Sequence, residues 1–337
     1  DDHTPNYGFY PSKLASPSLG WETTQSINTG IDFQLWNGRI QGTFDMYWSK
    51  TSDLLLNRSI PTINGTGNIT ENIGETKNRG LELQITSNNI AKKDFDWSTT
   101  FNLSHYKTKI VNVVLFRSSR WFIGQPISVN YDYRFIGIWQ ITDPSNPNGQ
   151  QDPNYRYSIP GYMKYHDKDG VNDITPADKE IIGSAIPKVT MGMTNTFRYK
   201  NVSLSVFLNA QLGQTANNWL YDVSHNSYRQ NRLMVDFWTP ENPTNKYPKN
   251  SLDTSVNPMS AGFYEKTDFL RVQDVTLAYR VPQRWLKKIS LNRLEVYMNI
   301  KNLATWTSWT GLDPEFISDQ QSTPQVRSFT FGLKLDL

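Results

Sequence analysis

The stretch RIQGTFDMYWSK, residues 39–50, alternates strictly. Ile40, Gly42, Phe44, Met46 and Trp48 fall on one face, and Gln41, Thr43, Asp45, Tyr47 and Ser49 on the other. Successive side chains of a strand point to opposite faces, so the segment predicts a strand with one apolar and one polar wall. The pattern recurs eight times. Ile27, Ile31, Phe33 and Leu35 share a face in SINTGIDFQLW, as do Leu81, Leu83 and Ile85 in RGLELQITSNN. Phe95, Trp97, Phe101 and Leu103 share one, then Val189, Met191, Met193 and Phe197, then Val202, Leu204, Val206 and Leu208. Val275, Leu277 and Tyr279 follow, then Leu294, Val296, Met298 and Ile300, and finally Phe329, Phe331, Leu333, Leu335 and Leu337. Several of these nine strands reach ten residues, the length that crosses a bilayer obliquely, whereas soluble strands centre on about five or six. A soluble sandwich would turn the apolar wall inward; a membrane barrel would turn it outward to lipid.

The connections alternate as well. Short ones are Asn37-Gly38, a tight-hairpin signal, then NNIAKKD, the Lys200-Asn201 pair and PQRWLKKIS. Long ones are expected at about 51–78, 113–187, 213–267 and 305–325. Short turns on one rim and long loops on the other are the asymmetry of outer-membrane barrels. That favours an all-β, antiparallel transmembrane β-barrel with short periplasmic turns and long extracellular loops, its apolar wall facing lipid and its polar wall the lumen. Trp48, Trp97, Tyr106, Tyr279 and Trp306 are expected near strand ends, where aromatic girdles belong. The strand-like segment ISVNYDYRFIGIWQ, inside the second long loop, is expected to form a hairpin or an extra strand pair.

Composition adjusts this picture only slightly. The 337 residues are 37% apolar and 13% aromatic, and no run nears the ~18–20 apolar residues of a membrane helix. A barrel strand escapes that test because it alternates. The absence of cysteine removes disulfide and thiol chemistry, and a net charge of +3 gives no argument for nucleic acid. The opening DDHTPNYGFYPSKL has neither initiator Met nor signal core, so the chain reads as a piece of something longer.

Candidate chemistry is sparse. The four histidines show no paired ligand spacing, and no nucleophile elbow or phosphate-cradling glycine loop occurs, so no enzyme is expected. One loop, DKDGVNDITPAD at 167–178, has an EF-hand-like pattern. Asp167, Asp169 and Asp178 take positions 1, 3 and 12, and the backbone carbonyl of Asp173 takes position 7. Val171 at position 5 supplies no side-chain ligand. Bound calcium and an acidic turn held by its own hydrogen bonds both remain open. The loops 216–232 and 119–125 are rich in Trp, Tyr, Asn and Gln, which suit a protein lid interface, loop packing or sugar contacts.

Several segments together resemble SusC-type TonB-dependent outer-membrane transporters: LGWETTQSINTGIDFQLWNGRIQGTFDMYWSKTSDLLL, NIGETKNRGLELQI at 72–85, IGQPISVNYDYRFIGIWQ at 123–140, DITPADKEIIGSAIPK at 173–188, FLRVQDVTLAYRVP at 269–282 and NIKNLATWTSWTGLDPEF at 299–316. The resemblance implies that residues 1–337 are the carboxy-terminal part of one 22-stranded barrel domain, with plug and amino-terminal strands outside the chain. It also implies active import of oligosaccharides or peptides, a SusD-type surface lipoprotein as lid, the TonB complex as energy source, and the remainder of the barrel as a partner. Family members often carry Asp-Gly where this calcium-like loop has Val171 and Asn172. Thr330, Gly332, Leu335 and Leu337 match the terminal barrel-assembly pattern, with leucine in place of the usual last aromatic. A passive porin or siderophore-type receptor is the alternative in the same membrane, and a soluble β-rich carbohydrate-binding protein the alternative outside it.

Overall fold

The computed structural model describes residues 14–113, 121–143, 158–171, 173–221, 235–250, 256–287, 291–316 and 323–336. The strands are β1 (Thr23–Leu35), β2 (Ile40–Ser59), β3 (Asn68–Ala91), β4 (Phe95–Val113), β5 (Asn130–Asp132), β6 (Phe135–Ile138), β7 (Met163–Tyr165), β8 (Glu180–Gly183), β9 (Val189–Tyr199), β10 (Val202–Leu212), β11 (Thr215–Asn217), β12 (Tyr264–Lys266), β13 (Phe269–Arg280), β14 (Arg293–Thr307) and β15 (Ser328–Asp336). A one-turn helix, α1 (Gln283–Leu286), joins β13 to β14. Nine long strands make one sheet in the order β1-β2-β3-β4-β9-β10-β13-β14-β15, so each long strand pairs with the next one along the chain. The chain divides into two compact units.

One unit contains the residues up to Phe33, Gly42–Gln84 and Ser104–Ser128. Here β2 and β3 run on through most of the span expected as a long connection, and only residues 60–67 separate them. The extension is held by polar cross-strand pairs. Arg58 forks onto Glu71, Thr70 Oγ1 donates to Asn57 Oδ1 at 2.7 Å, and Asn72 Nδ2 donates to the Asp53 carbonyl at 2.7 Å. A ribbon wetted on both faces needs no apolar wall, so alternation does not reveal it. Tyr106 also departs from the expected girdle: it lies mid-strand in β4, at the parity opposite Trp97, Phe101 and Leu103, on the polar wall. Trp48 is 44% exposed but sits in the middle of the lengthened β2.

The other unit contains residues 34–41, 85–103 and 129–337. Its first turn is closed by the Arg39 amide donating to the Trp36 carbonyl at 3.2 Å, with Asn37 and Gly38 at φ 53° and 83°. Trp36 is left-handed too, at φ 52°, so three consecutive left-handed residues turn the chain; Asn37 and Gly38 adopt that conformation at little cost, and Trp36 is the unusual member.

In the four strands β10, β13, β14 and β15 the apolar faces line up in register. Val202, Tyr279, Val296 and Leu333 form one row; Leu204, Leu277, Met298 and Phe331 a second; Val206, Val275, Ile300 and Phe329 a third. The intervening rows are polar, for example Ser205, Thr276, Asn299 and Thr330. On that side Asn299 Nδ2 donates to both Asp274 oxygens at 2.8 Å, and Glu295 pairs with Arg293 at 3.0 Å and Lys334 at 3.4 Å. Phe331 is 75% exposed and Val296 43%, so among the described residues nothing covers the apolar wall there. A bulge at Gln273, opposed by left-handed Asn302 in β14, shifts the register. Beyond it Leu270 and Trp306 stay on the apolar wall and Arg271 turns to the polar one. Gly332 faces Tyr297, whose ring covers the position a Cβ would fill. In the terminal pattern, Thr330 and Leu335 pair with Asn299 and Leu294, and Leu337 lies outside the described residues.

Most of the best-buried apolar side chains lie in the long connections, Phe269 at the start of β13 and Leu286 in α1 being the exceptions. Tyr133, Ile138, Trp139, Tyr162, Met163, Tyr165, Trp238, Val256 and Ala261 form one core, with Ile138, Met163 and Val256 at most 1% exposed. The segment expected to be a hairpin supplies β5 and β6, but β5 pairs with β8 and β6 with β7. The turn Tyr133-Arg134 is therefore a crossover between two small sheets.

Candidate functional site

Three long connections leave the same end of the sheet: 114–188 after β4, 213–268 after β10 and 308–327 after β14. The first two are sewn together. Trp238 Nε1 donates to Gln140 Oε1 at 2.7 Å, the Ile138 amide to Asn245 Oδ1 at 3.1 Å and the Lys249 amide to the Gly161 carbonyl at 2.9 Å. Asp132 Oδ2 accepts from the Gly262 amide at 3.0 Å and from the Tyr264 hydroxyl at 3.2 Å. Lys164 lies 4.3 Å over the Trp139 ring and pairs with Asp143 at 2.8 Å. Buried polar groups satisfied in this way rigidify a segment, because each bond would otherwise be lost without water to replace it.

The third connection is clamped to the wall. Arg271, 1% exposed, donates through Nη2 to Asp313 at 2.7 Å, through Nη1 to Glu315 and through Nε to Thr305 Oγ1 at 3.0 Å. Burial pushes the Glu315 carboxyl above the ordinary carboxylate range, with Arg271 pulling the other way. Asn218 Nδ2 donates to Thr310 Oγ1 at 3.0 Å and to Glu265 Oε2 at 3.0 Å, tying the second connection to the third. None of Arg271, Asp313 or Glu315 stands out in the sequence as a site. The available signal is an arginine inside an otherwise uncharged run, FLRVQ, together with the acidic DPE of the last loop.

In the loop 216–232, the described part ends at Tyr221, and its amides are used internally: Asn217 Oδ1 accepts from the Phe263 amide at 2.7 Å. Tyr221 stacks on Phe263 at 5.3 Å between centroids. These contacts support loop packing for 216–221; residues 222–232 lie outside the described residues. In 119–125, Ser119 and Arg120 lie outside them also, and the Gly124 and Ile110 backbones bond at 2.8 Å.

The acidic loop folds as a self-contained turn. Asp178 closes the 3₁₀ turn Pro176–Asp178 and is fully buried. Its Oδ1 accepts from the Lys168 amide at 2.8 Å, and its Oδ2 from the Thr175 amide at 2.7 Å. Burial alone would raise its pKa, but the amides of Thr175, Lys168 and Asp169 together hold the carboxyl below the usual range. Asp167 Oδ1 accepts from the Gly170 amide at 2.6 Å, and Asp169 Oδ1 from the Val171 amide at 3.2 Å. Carboxylate oxygens of Asp167, Asp169 and Asp178 come within 4.8 Å of one another; the exposed Asp173 does not contribute a carboxylate, and Asn172 lies outside the described residues. Calcium takes six to eight oxygens. Three convergent carboxylates fit that requirement incompletely, while the backbone amides explain the turn by themselves. Nearby, Glu180 accepts both nitrogens of the Arg134 fork, at 2.7 and 3.1 Å, and His166 Nδ1 at 3.0 Å, which lowers its pKa.

The TonB dependent receptor-like β-barrel family model matches residues 3–303. The chain belongs to this family. TonB-dependent receptor P3 of Formosa agariphila is 31% identical over 97% of the chain and 35% of that protein. The TonB-dependent receptor SusC of Bacteroides thetaiotaomicron is 29% identical over 96% of the chain and 33% of that protein. The chain thus spans about a third of the length of the curated relatives it matches. The RagAB peptide importer in its open-open state shares the fold at TM-score 0.79 and 21% identity, over the whole chain and 37% of the importer chain. In a TonB-dependent receptor barrel the exposed apolar wall is the lipid face, the Glu295–Asp274 side is the lumen, and the three long connections form the outer mouth.

Proposed function

We propose that this chain forms the carboxy-terminal wall and outer mouth of an energised outer-membrane importer for large nutrients, glycans or peptides. In this reading it works with a SusD-type surface lipoprotein as lid and, through parts of the transporter outside the chain, with the TonB complex. The observation that carries the reading is the mouth itself: two connections share one aromatic core, and the third is pinned by Arg271. A rigid rim built this way suits a seated protein lid, for which aromatic and arginine side chains are favoured. The peptides that RagAB imports motivate one cargo class, and the resemblance of the sequence to SusC-type transporters motivates the other. The test is the intact transporter in its own host, with residues 216–232 shortened. Barrel assembly should persist, while uptake and recovery of a surface lipoprotein with the barrel should fall. Uptake that continues without TonB would favour the passive porin instead.

Calcium at Asp167, Asp169 and Asp178 is a separate part of this proposal. Titration calorimetry of the intact transporter should show a binding event that Asp167→Ala removes; no heat in either protein would leave the loop a hydrogen-bonded turn.

A further inference from the structure

On three adjacent strands the outward positions change abruptly from apolar to basic. Along β2 they read Ile40, Phe44, Met46 and Trp48, then Lys50. Along β3, taken upward, they read Ile85, Leu83 and Leu81, then Arg79 and Lys77. Along β4 they read Phe101 and Leu103, then His105, Lys107 and Lys109. A tilted strand climbs about 2.5 Å per residue along the membrane normal, so Lys50 stands roughly 25 Å above Ile40, the height of the apolar band. The five cations therefore begin where the hydrocarbon ends, at the level of lipid headgroups.

They also share a cavity of about 560 Å³, lined by Ile27 and Trp48 on its apolar side and by Lys50, Lys77, Arg79, Lys107 and Lys109. All five are exposed. Lys50 pairs with Glu75 at 2.9 Å. The remaining four have no ion pair among the described residues, so the cluster keeps a large positive excess. Lysine and arginine at membrane edges ordinarily reach for water one at a time. Here they converge on one groove, whereas the outward residues at the upper ends of β13 and β14 are Leu270 and Trp306.

We propose that this groove binds the phosphate groups of an anionic lipid headgroup in the outer leaflet, with the acyl chains lying along the apolar rows below. Arginine and lysine supply donors matched to phosphate oxygens, and a basic cluster at the membrane surface attracts anionic lipid. The inference rests on the barrel being membrane-embedded, and not on its cargo.

The test uses the intact transporter in detergent, titrated with phosphatidylglycerol or phosphatidylcholine and read by native mass spectrometry. The wild type should favour phosphatidylglycerol by on the order of tenfold or more. Lys77→Gln/Arg79→Gln/Lys107→Gln/Lys109→Gln should lose the preference, and a variant with Lys77, Lys107 and Lys109 changed to Arg should keep it. Equal retention of the two lipids by wild type would overturn the proposal whether or not the Gln variant assembles. Displacement of the lipid by millimolar inorganic phosphate would also overturn it, leaving a small-anion site. Lipid preference without uptake would count against the importer alone; uptake without lipid preference would count against the lipid site alone.

Discussion

Replacing Arg271 by Met tests whether the last mouth loop is held electrostatically. Met preserves much of the aliphatic stem but removes three donors at once: those to Asp313, Glu315 and Thr305. The side chains of Arg271 and Asp313 are 2% and 6% exposed, and that of Glu315 is 18% exposed. Breaking a buried pair from one side costs about 3–5 kcal/mol, because the partner's charge stays behind unpaired. Glu315 is the wetter partner and is already pushed toward its neutral form, so the lower end applies, about 3 kcal/mol. That is roughly a hundredfold rise in the population with 308–316 detached. Limited proteolysis of the intact transporter reads this population directly when opening is fast relative to cleavage. Cleavage within 308–316 should accelerate by about that factor, while the β14–β15 ladder remains assembled. The triple change Arg271→Met/Asp313→Asn/Glu315→Gln should recover part of the loss, since neutral partners strand no charge. Equal cleavage of wild type and Arg271→Met would refute the clamp.

Three other outcomes are expected. Phe44→Arg should cost about 2–4 kcal/mol if near the bilayer midplane, and Asp45→Arg far less; equal loss of the heat-modifiable band in both would reverse the two walls. Asp178 is stabilised in its charged form, so its contribution is complete above about pH 4, the unfolded carboxylate value, and is lost as pH falls through its lower folded value. Hydrogen exchange at the Lys168 and Thr175 amides, corrected for intrinsic rate, should quicken at pH 3, and unchanged protection would contradict this. A cysteine at the exposed Glu241, in a chain with none of its own, should react with an impermeant maleimide on intact cells; reaction only after outer-membrane disruption would invert the topology.

The wall was legible because a bilayer imposes period two on every strand that crosses it. Leu204, Leu277, Met298 and Phe331 announce their face without any knowledge of their partners, and the register then aligns them. Where the bilayer ends, that signal ends. The upper parts of β2 and β3 are wet on both sides, and the span 51–78 reads as loop although all of it but residues 60–67 is ladder. The mouth was less legible still. Its strands β5 to β8 are three or four residues long, too short for periodicity, and its partners are distant: Arg271 meets Asp313 across 42 positions and Trp238 meets Gln140 across 98. The acidic loop was half legible. Spacing placed Asp167, Asp169 and Asp178 together, but could not show that Asp178 spends its oxygens on backbone amides.

The common core of the first two connections sets the unit in which this mouth can be exchanged. A chimera that imports 121–188 from a relative and keeps the native 213–268 would present Trp238 to a foreign partner in place of Gln140, and Asn245 to a foreign backbone in place of Ile138. The first mismatch strands the indole N–H of Trp238, a side chain only 5% exposed. Recombination between such receptors is therefore expected to succeed when both segments travel together, with the hairpin 189–212 between them, provided the incoming β9 keeps an acceptor like Asn195 for Trp97 and Thr99.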